Sequence, residues 1–141
     1  MNYKKTYKPQ KGYTPISKIG ESSLKMLEFG IIELDKGEKL SFFTENKETA
    51  FIMLEGHCDV EFDSTKWEYI GNRKTVFENR KAESFYMPKE KKLIITAKDH
   101  IKIAVCSAPI EVMTEPQVLR EEHVVLKLLG EKPYQRETSF I

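Results

Sequence analysis

The sequence predicts an all-β domain of sandwich or barrel type with little helix. Three observations carry that prediction. Short apolar runs recur along the chain with turn residues between them, at the spacing of a strand-rich fold. Aromatic residues make up 11% of the chain, which suits strands better than a helical bundle. The seven glycines are scattered, about one per turn, with no repeat and no low-complexity segment. At 141 residues the chain is one domain of ordinary size. A chain of that length buries roughly two-thirds of its unfolded surface and sustains its own core.

The elements follow in order. The first fifteen residues, MNYKKTYKPQKGYTP, mix Lys, Tyr, Pro and Gly without periodicity and are expected as an extended arm over a sheet. Phe29 to Leu34 (FGIIEL) is a strand, and Asp35 to Gly37 a turn. EKLSFF and ETAFIML are short apolar strands joined by the polar TENKE. Glu55-Gly56 separates two alternating runs and is expected as a tight hairpin turn. Beyond it, Cys58, Val60 and Phe62 fall on the core face, and His57, Asp59 and Glu61 on the polar face. WEYI, TVF, SFYMP, KLIITA and IKIAVCSA complete eight or nine strands. The tail VLREEHVVLKLLG fits two readings. Leu119, His123, Leu126 and Gly130 have helical spacing, while Val124 and Val125 favour two strands around a polar turn.

Charge and cysteine usage narrow the class. Lys and Arg number 23 against 22 Asp and Glu, so bulk electrostatics point to neither a nucleic acid nor a membrane partner. The basic N-terminus has no apolar run behind it and does not read as a secretory signal. No run approaches the roughly 20 apolar residues of a membrane helix. Cys58 and Cys106 are far apart and read as free thiols of a cytoplasmic protein, with one long-range disulfide as the alternative.

The residues offer little reactive chemistry. His57, His100 and His123 show no paired metal-ligand spacing and read as surface residues. Glu45, Glu48, Glu55, Asp59 and Glu61 cluster around turns, as expected in a chain with 22 acids. Neither a nucleophile motif nor a glycine-rich phosphate loop is present. One basic cluster, Arg73, Lys74, Arg80 and Lys81, lies beside Tyr69 and Tyr86 in a segment that fits an anion-binding role. Arg73, Arg80 and Tyr86 are its candidate ligands for a uronate-like sugar acid, against the plainer reading of solvated loop charges.

The segment Ser41 to Val60, SFFTENKETAFIMLEGHCDV, has the outline of a cupin motif, G-x5-H-x-H-x3-4-E-x6-G. Gly37 opens it and Gly56 closes it, but the ligand slots carry Phe43, Glu45 and Thr49. Anchoring the second cupin motif on Pro88 puts Leu93 in its histidine slot. One carboxylate does not hold a divalent ion. Phe43 and Leu93 are expected to plug the cavity with apolar groups, a buried Phe contributing roughly 2–3 kcal/mol of transfer free energy. The chain thus resembles a cupin-type β-barrel, a double-stranded β-helix of jelly-roll type, degenerate at its metal slots.

A narrower resemblance rests on Arg73 to Pro109. Val76, Phe77, Tyr86, Pro88, the I-T-A strand and the A-x-x-S-A-P ending are similar to the N-terminal half of 5-deoxy-glucuronate isomerase, a bicupin of myo-inositol catabolism. Arg136 and Ile141 match the entry to its second barrel. The resemblance implies strand–turn–strand for the tail. It also implies a degenerate barrel over residues 1–130 and a linker over 131–141 toward a second barrel that carries the metal. This chain alone is then expected to have no metal, no cofactor and no isomerase activity of its own. A second barrel or a homo-oligomer is its expected partner. The alternative is a non-enzymatic module binding a sugar acid or a protein.

Overall fold

The computed structural model describes residues 4–21 and 23–141. Twelve strands are present among them: β1 Gly12–Ser17, β2 Glu28–Leu34, β3 Lys39–Phe43, β4 Lys47–Glu55, β5 Cys58–Phe62, β6 Thr65–Ile70, β7 Ser84–Met87, β8 Lys92–Ala97, β9 Ile101–Pro109, β10 Gln117–Leu119, β11 Val125–Leu129 and β12 Arg136–Phe140. A six-stranded sheet runs β1-β2-β9-β4-β7-β10 and a four-stranded sheet β3-β8-β5-β6. From β2 to β9 the chain passes repeatedly between the two sheets, leaving β5–β6 as a hairpin within one of them. This is the expected double-stranded β-barrel of jelly-roll type.

Period-two alternation forms the barrel. Thr49, Phe51 and Met53 of β4 point inward, as do Leu93, Ile95 and Ala97 of β8. They meet Ile32, Leu34, Val60, Phe85, Met87, Ile103 and Val105 in one continuous core. Phe51 is fully buried and stacks on Phe85 with ring centroids 4.5 Å apart and planes 7° apart. Phe42 meets Phe51 edge-on at 5.2 Å, and Tyr13 meets Phe42 at 5.3 Å. A chain of contacting aromatic rings, Tyr13, Phe42, Phe51 and Phe85, thus runs through the barrel interior. β-branched and aromatic side chains suit this pleated interior.

Four expectations are corrected. Glu55-Gly56 does not make a hairpin, because β4 lies in the six-stranded sheet and β5 in the four-stranded one. A bulge between Met53 and Glu55 bends the end of β4, and Gly56, at φ +76°, turns the corner. A Cβ there would strike the His100 carbonyl, so only glycine lets this corner pack on the β8–β9 turn. Second, TVF is no strand. Residues 74–78 satisfy their backbone locally, with Glu78 N–H donating to Thr75 O and Lys74 N–H to Glu78 Oε1, which leaves Phe77 93% exposed. Third, the N-terminal arm is partly strand: β1 pairs with β2 at the sheet edge, where Pro15 is tolerated. Fourth, the helical reading of the tail gives way to strand, 3-10 turn (Glu121–His123) and strand. Within the segment read as a linker, β12 pairs with β11 as a separate two-stranded sheet, and Gly130 lies between them.

The tail is clamped to the barrel by Glu83 and Arg120. Glu83 is buried and accepts from Gly71 N–H at 2.8 Å, Arg120 Nη1 at 3.2 Å and Glu121 N–H at 3.3 Å. Arg120 also donates to the carbonyls of Tyr69 and Glu68 at 2.6 and 2.8 Å.

Candidate functional site

The four cupin ligand positions do not converge. On β3 the exposure alternates, with Leu40 and Phe42 turned toward the core and Phe43 55% exposed. Phe43 therefore does not plug the barrel; its neighbour Phe42 does. A one-residue register offset moves a side chain to the other face of a strand, and the spacing of the sequence motif falls one residue past the inward position. Glu45 sits in a turn at φ +54°, exposed, with its carboxylate 2.9 Å from Lys47 Nζ. Thr49 is buried and shares a 3.0 Å hydroxyl hydrogen bond with Ser107. Leu93 is buried in the core, opposite Phe42 across the β3–β8 ladder. One ion-paired carboxylate, one satisfied hydroxyl and two apolar groups do not fit a divalent metal. No group of three or more His, Cys, Asp or Glu side chains with metal-binding geometry occurs among the described residues.

Beside this apolar interior, a cavity of about 490 Å³ is walled by residues of β1 to β4 and of β9. Tyr13, Glu28, Phe42, Phe43, Lys47 and Ser107 line it. The Tyr13 ring rests directly on Gly30, where a Cβ would collide with it. Lys47 Nζ spans Glu28 and Glu45 at 3.0 and 2.9 Å. Partial burial works against the charged ammonium, but the two carboxylates outweigh it and hold the Lys47 pKa above its ordinary value. With Lys18 also in the lining, two cations and two carboxylates balance at this mouth.

The predicted anion cluster is divided. Arg73 and Arg80 line one cavity of about 410 Å³ between the 73–81 loop and the β11–β12 hairpin. Tyr86 does not join them. It lies on β7 in a different pocket, its hydroxyl donating to Glu48 Oε2 at 2.7 Å and lying 2.5 Å from Thr114 Oγ1. Tyr69 is likewise elsewhere, its ring beside His57 and Lys98. Arg80 is engaged by Glu121 at 2.6 Å. Lys81, next to Arg80 in sequence, also lines the first cavity.

The histidines, Asp59 and the cysteines form no further site among the described residues. His57 Nδ1 lies 3.0 Å from Asp99 and His100 Nδ1 3.0 Å from Asp35, while His123 Nδ1 accepts from Arg120 N–H at 3.1 Å. Asp59, assigned to the polar face, is 3% exposed because Lys98 and Lys66 cover it. Burial pushes its carboxyl pKa up, but hydrogen bonds from Lys98 and Tyr69 N–H and the charge of Lys66 prevail and hold it below the ordinary value. Burial pushes the Cys58 thiol up to about 12, which makes it inert at neutral pH. Both cysteines are free.

No helix among the described residues is long and apolar enough to cross a membrane. Known proteins place the chain. It is 27% identical over 128 residues to a 5-deoxy-glucuronate isomerase of Halalkalibacterium halodurans, covering 89% of this chain and 47% of that protein. To the protein of the same name from Geobacillus kaustophilus it is 32% identical over 81 residues, 57% of this chain and 29% of that protein. The chain thus spans half or less of the length of these relatives. Among solved structures, an IolB-like protein from Salmonella typhimurium LT2 superposes with a TM-score of 0.85 at 23% identity, over 93% of this chain and 50% of that one. The cupin domain of Schizosaccharomyces pombe Cnp3 superposes at 0.51 with 15% identity, over 70% and 60%. Together with the sheet topology, these likenesses establish a cupin β-barrel. The KduI/IolB family model matches residues 3–141, and the chain belongs to the KduI/IolB family.

Proposed function

We propose that this chain is the non-metal barrel of a 5-deoxy-glucuronate isomerase-type protein and acts as scaffold for a second, metal-bearing barrel. In that assembly the interconversion of 5-deoxy-glucuronate and 2-deoxy-5-keto-gluconate, a step of inositol catabolism, belongs to the second barrel. One observation carries this reading: the inward positions of the barrel are occupied by Phe42, Phe51, Phe85, Met87 and Leu93, packed against one another. These apolar groups occupy the positions from which a cupin barrel would present metal ligands, and none of them can coordinate a divalent ion.

The β11–β12 hairpin supports the need for a partner. An isolated two-stranded sheet is marginal in water. Cross-strand pairing puts Val125 and Phe140 on one face, each about half exposed, with Lys127 over the Phe140 ring. Covering that face would bury apolar surface that the chain alone leaves in water.

The test is an isomerase assay on the purified chain, alone and mixed with a separately produced barrel carrying H-x-H ligand spacing. The reading expects activity only in the mixture, with co-elution of the two. Turnover by the isolated chain would sink it.

A further inference from the structure

We propose that the cavity between the 73–81 loop and the β11–β12 hairpin is a binding site for a small carboxylate anion, held by Arg73 and Lys81. This goes beyond the scaffold reading and does not depend on a second barrel.

Two cations line the same cavity without a carboxylate partner. Arg73 donates through Nη1 to the Arg80 carbonyl at 3.4 Å and through Nη2 to the Met53 carbonyl at 3.3 Å. Both contacts are long, and its Nε is sealed from solvent and bonds nothing among the described residues. Lys81 Nζ donates to the Val124 carbonyl at 2.9 Å. Neither makes an ion pair among the described residues, whereas their neighbour Arg80 is matched by Glu121 at 2.6 Å. Carrying a partly buried guanidinium on main-chain carbonyls alone is costly, and an anion placed beside it recovers that cost. Burial accordingly lowers the Arg73 pKa, and the charge of Glu78, which lines the same cavity, only partly opposes this.

The walls define the ligand. With Nε sealed away, Nη1 and Nη2, held only by long contacts, are the Arg73 donors that can meet the two oxygens of a carboxylate, and the Lys81 ammonium adds a point charge. Val76 and Leu126 supply apolar contact beside it, and Ser139 a hydroxyl. Glu78 and Glu137 also line the cavity, so an occupant of high negative charge is disfavoured. A volume of about 410 Å³ takes a molecule of monosaccharide size. The geometry points to a monocarboxylate such as a sugar acid, with inorganic phosphate as the competing anion.

D-glucuronate, D-glucose and inorganic phosphate titrated separately into the full chain test the site. The readouts are calorimetry and the NMR signal of the Arg73 side chain. Saturable glucuronate binding that shifts the Arg73 signal is expected, with glucose at least tenfold weaker. Arg73→Met and Lys81→Met should each weaken glucuronate at least tenfold, and Glu137→Gln should strengthen it. The Arg73 signal of the unmodified protein decides the matter even where Arg73→Met fails to fold. An unshifted Arg73 signal at saturation, equal binding of glucose, or binding of phosphate without glucuronate would each overturn the proposal.

Discussion

Replacing Phe51 by Ala tests the filled barrel where it is most tightly packed. Phe51 is fully buried on β4, stacked on Phe85 at 4.5 Å and met edge-on by Phe42 at 5.2 Å. Truncating a buried Phe to Ala removes its transfer free energy and leaves a cavity, costing about 3–5 kcal/mol. The stacked pair adds to what is lost, which places Phe51 in the upper half of that range. Domains of this size are stable by about 5–15 kcal/mol, so the variant should fold but marginally. The chain has one tryptophan, Trp67, packed on Phe62 at 4.7 Å against the core, and its fluorescence reports urea unfolding. With a slope of about 2 kcal/mol per M, the midpoint should fall by roughly 2 M with the slope unchanged. Phe77→Ala is the control: that ring is 93% exposed, and its loss should change stability by no more than about 0.5 kcal/mol. A cost below about 1 kcal/mol for Phe51→Ala would refute the packed interior, because a ring in a loose or solvent-filled cavity has little to lose.

Further predictions follow from the polar clamps. Asp59 has a folded-state pKa held below its ordinary value of 3.8, so its ionised form stabilises the fold above that value and the benefit is lost as pH falls through the folded value. Asp59→Asn should cost about 2 kcal/mol at neutral pH, and the gap from the unmodified protein should close as pH falls through the lowered folded-state pKa; a gap independent of pH would contradict this. Glu83→Gln weakens the anchor of Arg120 and of two main-chain N–H groups, and should cost about 1.5–3 kcal/mol. A double-mutant cycle with Arg120→Met should show coupling between the two sites, and strict additivity would count against the clamp. Gly56→Ala should lower thermal stability by about 1–3 kcal/mol, because the left-handed φ and the close His100 carbonyl both exclude a side chain. Unchanged melting would argue that the corner is open.

The sequence made the strands legible because most bury one face. Alternation placed Cys58, Val60 and Phe62 in the core and put β8 and β9 within a residue or two of their observed positions. What it could not show was pairing. A glycine turn between two alternating runs looks the same whether the runs pair or part, and Gly56 sends them into different sheets. The same limit misplaced Phe43, since motif spacing counts residues while the pleat decides which of two adjacent phenylalanines turns inward. TVF has strand-forming residues, but Thr75 and Glu78 close local turns around it. In the candidate anion site, Arg73 and Lys81 were visible as charge in one segment. Their lack of carboxylate partners depends on the hairpin folding over them from 50 residues downstream, and on Glu121 choosing Arg80. Tyr86 shared that segment in sequence, yet its strand carries it to Glu48.

Metal content tests the central claim most directly. The chain would be purified without chelators, incubated with Zn²⁺, Mn²⁺ and Fe²⁺, desalted and analysed for elements. A barrel whose ligand positions hold Phe43, Glu45, Thr49 and Leu93 should retain well under one ion per chain. One tightly held transition-metal ion per chain would contradict the scaffold account and return this barrel to the metal enzymes.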